Sequence, residues 1–262
     1  MAATRTYDHA TLGRTVPRIE RRFTFAHWSS LRPLPAKVER DANSEVVCVG
    51  YFERLVAFVL FMALAPLIVL AGIAIKLESP GGPILFWQER VGLERRRQQS
   101  RVGSLASLKE RRRIPGAGRA FMIYKLRTMV PNAESKTGPV WASDSDPRIT
   151  RVGRVLRHLR LDEIPQLLNV AKGQMRLIGP RPERPHFVSQ LSQSIPEYAN
   201  RLKVPPGITG LAQIEREYDG CIDDVRTKIK YDLFYVRNRC VLLDIKIILR
   251  TIDVMVRGRG AR

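Results

Sequence analysis

A chain of 262 residues with 44% hydrophobic content is ordinary for a folded protein and long enough for one substantial domain or two small ones. Forty-five Lys and Arg against 25 Asp and Glu give a formal charge of +20, which points to polyanionic partners (nucleic acid, anionic lipid headgroups or phosphorylated small molecules) without choosing among them. Cys48, Cys221 and Cys240 stand apart, with no CxxC pair and no histidine cluster nearby, so the sequence suggests neither a zinc site nor a disulfide framework.

Residues 1–48 mix Arg, Pro, Ser and Ala without a sustained apolar period, which predicts a disordered or loosely docked arm; lacking an apolar h-region, it does not read as a secretory signal. The uncharged segment "LVAFVLFMALAPLIVLAGIAI" follows from Leu55 to Ile75, and its length suits a bilayer helix. Pro66 lies in its middle and cationic residues flank both ends, so the expectation over 49–78 is a helix that enters the membrane, breaks near Ala65-Pro66 and returns to the same face. A kinked spanning helix is the plainer reading of the same pattern.

"SPGGPILFWQERVG" predicts a turn and a short strand-like run, and 93–118 is an arginine-rich insertion. That insertion has no interleaved aromatics to stack on bases, which favours a solvated loop or headgroup contact over a nucleic-acid patch. From "FMIYKLRTM" onward the pattern is that of a compact domain running to residue 262: "ITRVGRVLRHL" and "IPQLLNVAK" read as short helices, "MRLIGPRPERP" as extended, "VPPGITGLAQIE" as a turn-rich loop. Near the C-terminus Lys246, Arg250, Asp253 and Arg257 form one polar stripe on an otherwise apolar helix, suited to the core or to a membrane interface. The fold class expected is α+β, mostly helical, with a re-entrant N-terminal membrane helix, interfacial amphipathic helices and a compact cytosolic catalytic domain over 79–262 that includes the basic insertion.

Within "LRLDEIPQLLNV" the adjacent acids Asp162 and Glu163 support two readings. Asp is a favoured N-cap and Glu suits a first turn, which makes a helix cap. Arginines and lysines recur around them, at Lys125, Arg127, Arg157 and Arg181, as a pyrophosphate site requires. Neighbouring positive charge and a helix N-terminus would keep a carboxylate ionised, ready to attack phosphorus, and a second acid beside it can hold a divalent cation.

The ordered motifs "ERVG", "IYKLRTM", "DPRITRVGRVLRHLRLDEIPQLLNVAKGQMRLIGPRPE", "VPPGITGLAQ" and "YDLFYVRNRCVLLDIKIILRT" resemble those of the bacterial sugar transferase family, the monotopic polyprenyl-phosphate phosphoglycosyl transferases, over about residues 50 to 256. The resemblance implies transfer of a sugar 1-phosphate from a UDP-sugar to membrane polyprenyl phosphate, with release of UMP, on the cytoplasmic face of a bacterial inner membrane, as a first step of exopolysaccharide or glycoconjugate synthesis. It implies Asp162 as the nucleophile and Glu163 as its assistant through Mg²⁺ and proton handling, both provisional metal ligands. Phosphate or substrate contacts are implied for Lys125, Arg127, Arg157 and Arg181, and for Pro206, Gly207, Thr209 and Gly210 of "PGITG". No nucleic acid is expected as a partner. The chain departs from the family at Arg160, where Ser or Thr is frequent, at Ala65 before the proline, and at "GQMR", where "GDMS" is usual and Gln174 and Arg176 stand instead. The rival reading from another class is a membrane-tethered polyanion-binding or scaffold protein, motivated by the charge.

Overall fold

The computed structural model describes residues 42–94, 118–135, 146–215 and 222–257. Most of the N-terminal arm and of the basic insertion therefore lie outside the described residues. Helix α1 (Ala42–Glu78) begins earlier than the sequence predicts, taking in residues 42–48 that the reading assigned to the arm. Its 29 residues from Gly50 to Glu78 are long and apolar enough to cross a membrane. The helix assignment is also unbroken across Pro66, so the expected interruption at Ala65-Pro66 is not a loop; Pro66 removes one hydrogen bond inside a continuous helix.

Glu53, Ala57, Ala71 and Ile75 are buried, and Phe61, Leu64 and Ile68 are packed between them, three or four residues apart. That spacing is one helical stripe, which meets the globular body on both sides of Pro66. Leu55, Phe58, Val59, Val69, Leu70 and Ile73 face outward and remain exposed.

Strands β1 (Leu85–Val91) and β2 (Ala120–Leu126) form an antiparallel hairpin in which Phe86 opposes Lys125 and Trp87 opposes Tyr124. Helix α2 (Arg151–His158) follows, then a 3₁₀ segment (Leu161–Gln166) and helix α3 (Leu167–Ala171). The run expected as one short helix is thus divided at Gln166. β3 (Arg176–Ile178) pairs in parallel with β4 (Gly207–Thr209) across helix α4 (Pro185–Ser194) and a second 3₁₀ segment (Tyr198–Lys203). The loop expected over "VPPGITGLAQIE" therefore contains a strand, and also helix α5 (Leu211–Glu215). Helices α6 (Ile222–Asn238) and α7 (Val241–Val256) complete a fold of α+β class with helix predominant, as the sequence predicts.

Three apolar clusters hold these elements. Ala71, Ile75, Leu126 and Leu156 make one, Ala57, Ile123, Leu167, Val170 and Met175 a second, and Val188, Tyr198, Leu202, Val225 and Ile229 lie in a third around α4 and α6. α7 seats Leu243 and Ile247 fully in the interior while Leu242, Ile245, Leu249 and Ile252 are exposed. Its cationic stripe thus lies at the border between a buried edge and an exposed apolar face.

Candidate active site

The acids lie in the 3₁₀ segment between two apolar anchors. Leu161 packs into the cluster with Ala71 and Ile75, and Ile164 into the cluster with Ala57, Phe61 and Leu64. Asp162 and Glu163 are therefore presented between two points of attachment to α1, one after and one before Pro66. Asp162 is not an N-cap: that position belongs to Arg160, whose φ of 57° is left-handed and whose side chain makes no capping bond. A non-glycine residue held there costs about 1 kcal/mol or more, so the turn before the acids carries strain.

Both acids are nearly buried, at 7% and 9% exposure. The Lys125 ammonium donates to Glu163 Oε1 at 2.9 Å and stands 4.0 Å from Asp162 Oδ2. The Arg181 guanidinium donates to the same Glu163 oxygen. Burial alone would push the Glu163 carboxyl up, but the charges of Arg181 and Lys125 outweigh it and hold the group well below the usual carboxylate range. Asp162 goes the other way: burial raises it, and the Glu163 charge adds to the rise against Lys125, Arg157 and Arg181. The surrounding cations thus act on the first acid as expected, by charge, but the hydrogen bonds of Lys125 and Arg181 go to the second. Burial also lowers Lys125.

The consequence is a division of labour. The Arg181 and Lys125 charges favour the ionised form of Glu163. Asp162 accepts no hydrogen bond from the described residues, and its cation contact is Lys125 at 4.0 Å.

Arg157 donates from Nε to Thr128 Oγ1 at 2.8 Å, and its charge acts on Asp162. It is placed by α2, whose start is capped twice: Thr150 Oγ1 accepts from the Gly153 amide at 2.9 Å, and Glu78, the last residue of α1, accepts from the Arg151 and Val152 amides at 2.7 and 2.8 Å. Gly153 is needed because a Cβ there would stand 2.1 Å from the Thr128 carbonyl oxygen.

Arg127 is placed elsewhere. It binds the Ser79 carbonyl and hydroxyl, closing the turn after α1 and fastening that helix to β2. "PGITG" likewise works from behind. Pro206 O accepts from the Arg176 amide at 2.8 Å, Gly207 pairs with β3, Thr209 Oγ1 shares a 2.8 Å hydrogen bond with Thr251 of α7, and a Cβ on Gly210 would meet the Gly179 carbonyl at 2.2 Å. These four positions brace the segment that carries Arg181; their hydrogen bonds go to protein.

The two departures in "GQMR" have local explanations. Gln174 Oε1 accepts from Asn169 Nδ2 at 2.8 Å, a role an aspartate there could also fill, while Asn169 also binds the Tyr124 amide and the Met122 carbonyl. Arg176 makes a two-pronged ion pair with Glu53 of α1, at 2.8 and 2.9 Å. Sequence reasoning missed this pair, together with Arg90, which reaches the Arg181 segment from β1.

A Mg²⁺ ion takes six oxygens in near-octahedral geometry and usually keeps several on water and phosphate. The two adjacent carboxylates fit such an ion, with Asp162 the more open because Arg181 and Lys125 already occupy Glu163. Among the described residues no group of three acids, histidines or cysteines accompanies them, so the remaining oxygens would come from the substrate and solvent.

A family model described as bacterial sugar transferase matches residues 45–101 and 100–258. An Aeromonas hydrophila UDP-N-acetylgalactosamine-undecaprenyl-phosphate N-acetylgalactosaminephosphotransferase is 42% identical over 210 residues, covering 80% of this chain and 44% of that one. A Caulobacter vibrioides UDP-glucose:undecaprenyl-phosphate glucose-1-phosphate transferase is 41% identical, over 86% of this chain and 73% of its own. The Rhizobium leguminosarum exopolysaccharide production protein PSS is 34% identical, over 76% and 90%. The chain thus spans under half of the Aeromonas protein and most of the Rhizobium one.

Proposed function

The chain belongs to the bacterial sugar transferase family, and from that premise we propose that it transfers a sugar 1-phosphate from a UDP-sugar to polyprenyl phosphate and releases UMP. The relatives named for transfer to undecaprenyl phosphate support the reaction class. The observation that carries the mechanism is the unequal state of the acid pair: Glu163 Oε1 accepts from two cations, while Asp162 accepts no hydrogen bond from the described residues and stands 4.0 Å from the Lys125 ammonium.

Asp162 attacks the sugar-bearing phosphorus, the bond to the bridging oxygen breaks, and UMP leaves with that electron pair. An oxygen of the polyprenyl phosphate then attacks the same phosphorus and frees the Asp162 carboxylate. Lys125, Arg157 and Arg181 hold charge around the transferred group. Mg²⁺, bound through Asp162 and Glu163 oxygens, would neutralise phosphate charge. Asp162→Asn should abolish UMP release and covalent labelling from a radiolabelled UDP-sugar; a variant that transfers normally would remove the nucleophile from the scheme, whereas a wild-type chain that releases no UMP would favour a charge-driven scaffold.

The membrane seat proposed is re-entrant, on the cytoplasmic face. Glu53 and Glu78, at the two ends of the apolar stretch, are both fastened to one globular body, through Arg176 and through α2. A helix passing through the bilayer would leave that body and run through hydrocarbon, whereas the inward stripe of α1 is covered by it on both sides of Pro66. The exposed apolar faces of α1 and α7 supply the contact with lipid. Cysteines engineered before Leu55 and after Lys76 should react from the same side; reaction from opposite sides would establish a spanning helix.

A further inference from the structure

The segment Pro180 to Glu183 is held through its carbonyls. Pro180 O accepts from the Gly207 amide at 3.0 Å, Arg181 O from Arg201 Nη2 at 2.9 Å, Pro182 O from Arg90 Nη1 at 3.0 Å, and Glu183 O from the Val91 amide at 2.9 Å. Four consecutive oxygens are thus taken by donors from three different parts of the chain. Two of the four residues are prolines with no amide of their own, so these bonds are the main handle on the backbone. The residue displayed by this segment is Arg181, whose guanidinium lies on Glu163.

Two of the four donors are arginine side chains, and they are differently placed. Arg201 forms a buried ion pair with Asp232 and would be retained for stability alone. Arg90 has a looser counter-charge, Glu183, at 3.4 Å. Its Nη2 donates to the neutral Gln88, and its Nε is buried without a partner. Burial pushes this guanidinium down to about 10; Glu183 offsets part of that, and the charges of Arg181 and Arg184 oppose it. A cation kept in such a place is unfavourable to the fold, and an apolar side chain of similar length would fill the space.

We propose that Arg90 is a positioning residue for phosphate transfer: by holding the Pro182 carbonyl it fixes the backbone beside Arg181, so that the Arg181 guanidinium spans Glu163 and the donor phosphate. The inference rests on the transferase reading above. A displacement of about 1 Å at a group that orients substrate lowers rates on the order of a hundredfold.

The test is a double-mutant cycle on the full chain in detergent or nanodiscs, with Arg90→Met and Arg181→Lys alone and together. It is read as kcat/KM for UMP release and as UDP affinity by calorimetry, which needs no turnover. Arg90→Met is expected to lower kcat/KM by about tenfold to a hundredfold in the wild-type background and less than about twofold beside Arg181→Lys, because its effect passes through Arg181. Arg90→Lys, keeping one donor for Pro182 O, should recover most of the loss, and Arg90→Gln carries the cycle where the methionine variant does not fold. An equal loss in both backgrounds, or no loss in either, overturns the inference. An additive cycle in a protein that still requires Asp162 refutes the role of Arg90 alone; transfer by Asp162→Asn refutes the mechanism beneath it.

Discussion

Arg176→Ser, which installs the residue usual in the family, tests the tie between α1 and the domain. Glu53 is only 7% exposed and both its oxygens accept from Arg176, at 2.9 and 2.8 Å. The side chains of the pair are 9% and 11% exposed, so solvent screening is slight. Burial pushes the Arg176 guanidinium down, yet the hydrogen bonds and charge of Glu53 more than reverse this and leave it above its ordinary value. Removing one partner of a buried pair leaves the other uncompensated, at a cost of about 3 kcal/mol or more. For a domain of this size that corresponds to a fall in melting temperature of about 6–12 °C. Glu53→Gln with Arg176→Ser should regain most of it, giving a coupling energy of about 2–3 kcal/mol. Thermal unfolding in detergent, followed by tryptophan fluorescence, measures all four corners of the cycle. A single variant within about 0.5 kcal/mol of wild type, or strictly additive effects, would refute the reasoning.

Gln174→Leu leaves one Asn169 amide hydrogen buried without an acceptor and should cost about 1–2 kcal/mol; Gln174→Asp restores an acceptor and should melt near wild type, as unfolding curves would report. Glu78 carries a pH dependence. Burial acts to raise it, but the amides of Val152 and Arg151 together with Thr150 lower it below its ordinary 4.5. A depressed folded value means its contribution is present above pH 4.5 and lost as the pH falls through the folded value. The melting advantage of wild type over Glu78→Gln should therefore be full at pH 6 and shrink toward pH 3; an advantage that grows on acidification would contradict the cap. Because Glu78 is exposed, the effect is small and diminishes with salt.

The features legible in the sequence were those with a local signature. Twenty-one uncharged residues announce α1, an amphipathic run announces α7, and the acids with their cations announce the site. What escaped depends on residues distant in the chain. Nothing near Glu53 signals a partner 123 positions away, and β4, with three residues, is too short for a period to show. Substrate contacts at Arg127 and "PGITG" were implied by the resemblance; what the sequence does not show is that Arg127 hydrogen-bonds Ser79 and that Gly207 and Thr209 pair with the backbone of Pro180 and Gly179. The opposite shifts of Asp162 and Glu163 were likewise hidden, since they follow from which acid the cations reach.

The attachment of the acid-bearing turn to α1 on either side of Pro66 makes the apolar helix a wall of the domain's interior and not a leash. A shortened chain beginning at Ser79 would strip one side from two cores, uncovering Ile123, Leu126, Leu156 and Leu167 to water. Such a fragment should collect in aggregates, and exchanging the helix for a generic lipid anchor would not repair it. Solubilisation has to proceed by shielding the outward residues of α1 while the inward stripe stays where it is. Detergents that compete for that stripe would loosen the reaction centre before they unfold the protein.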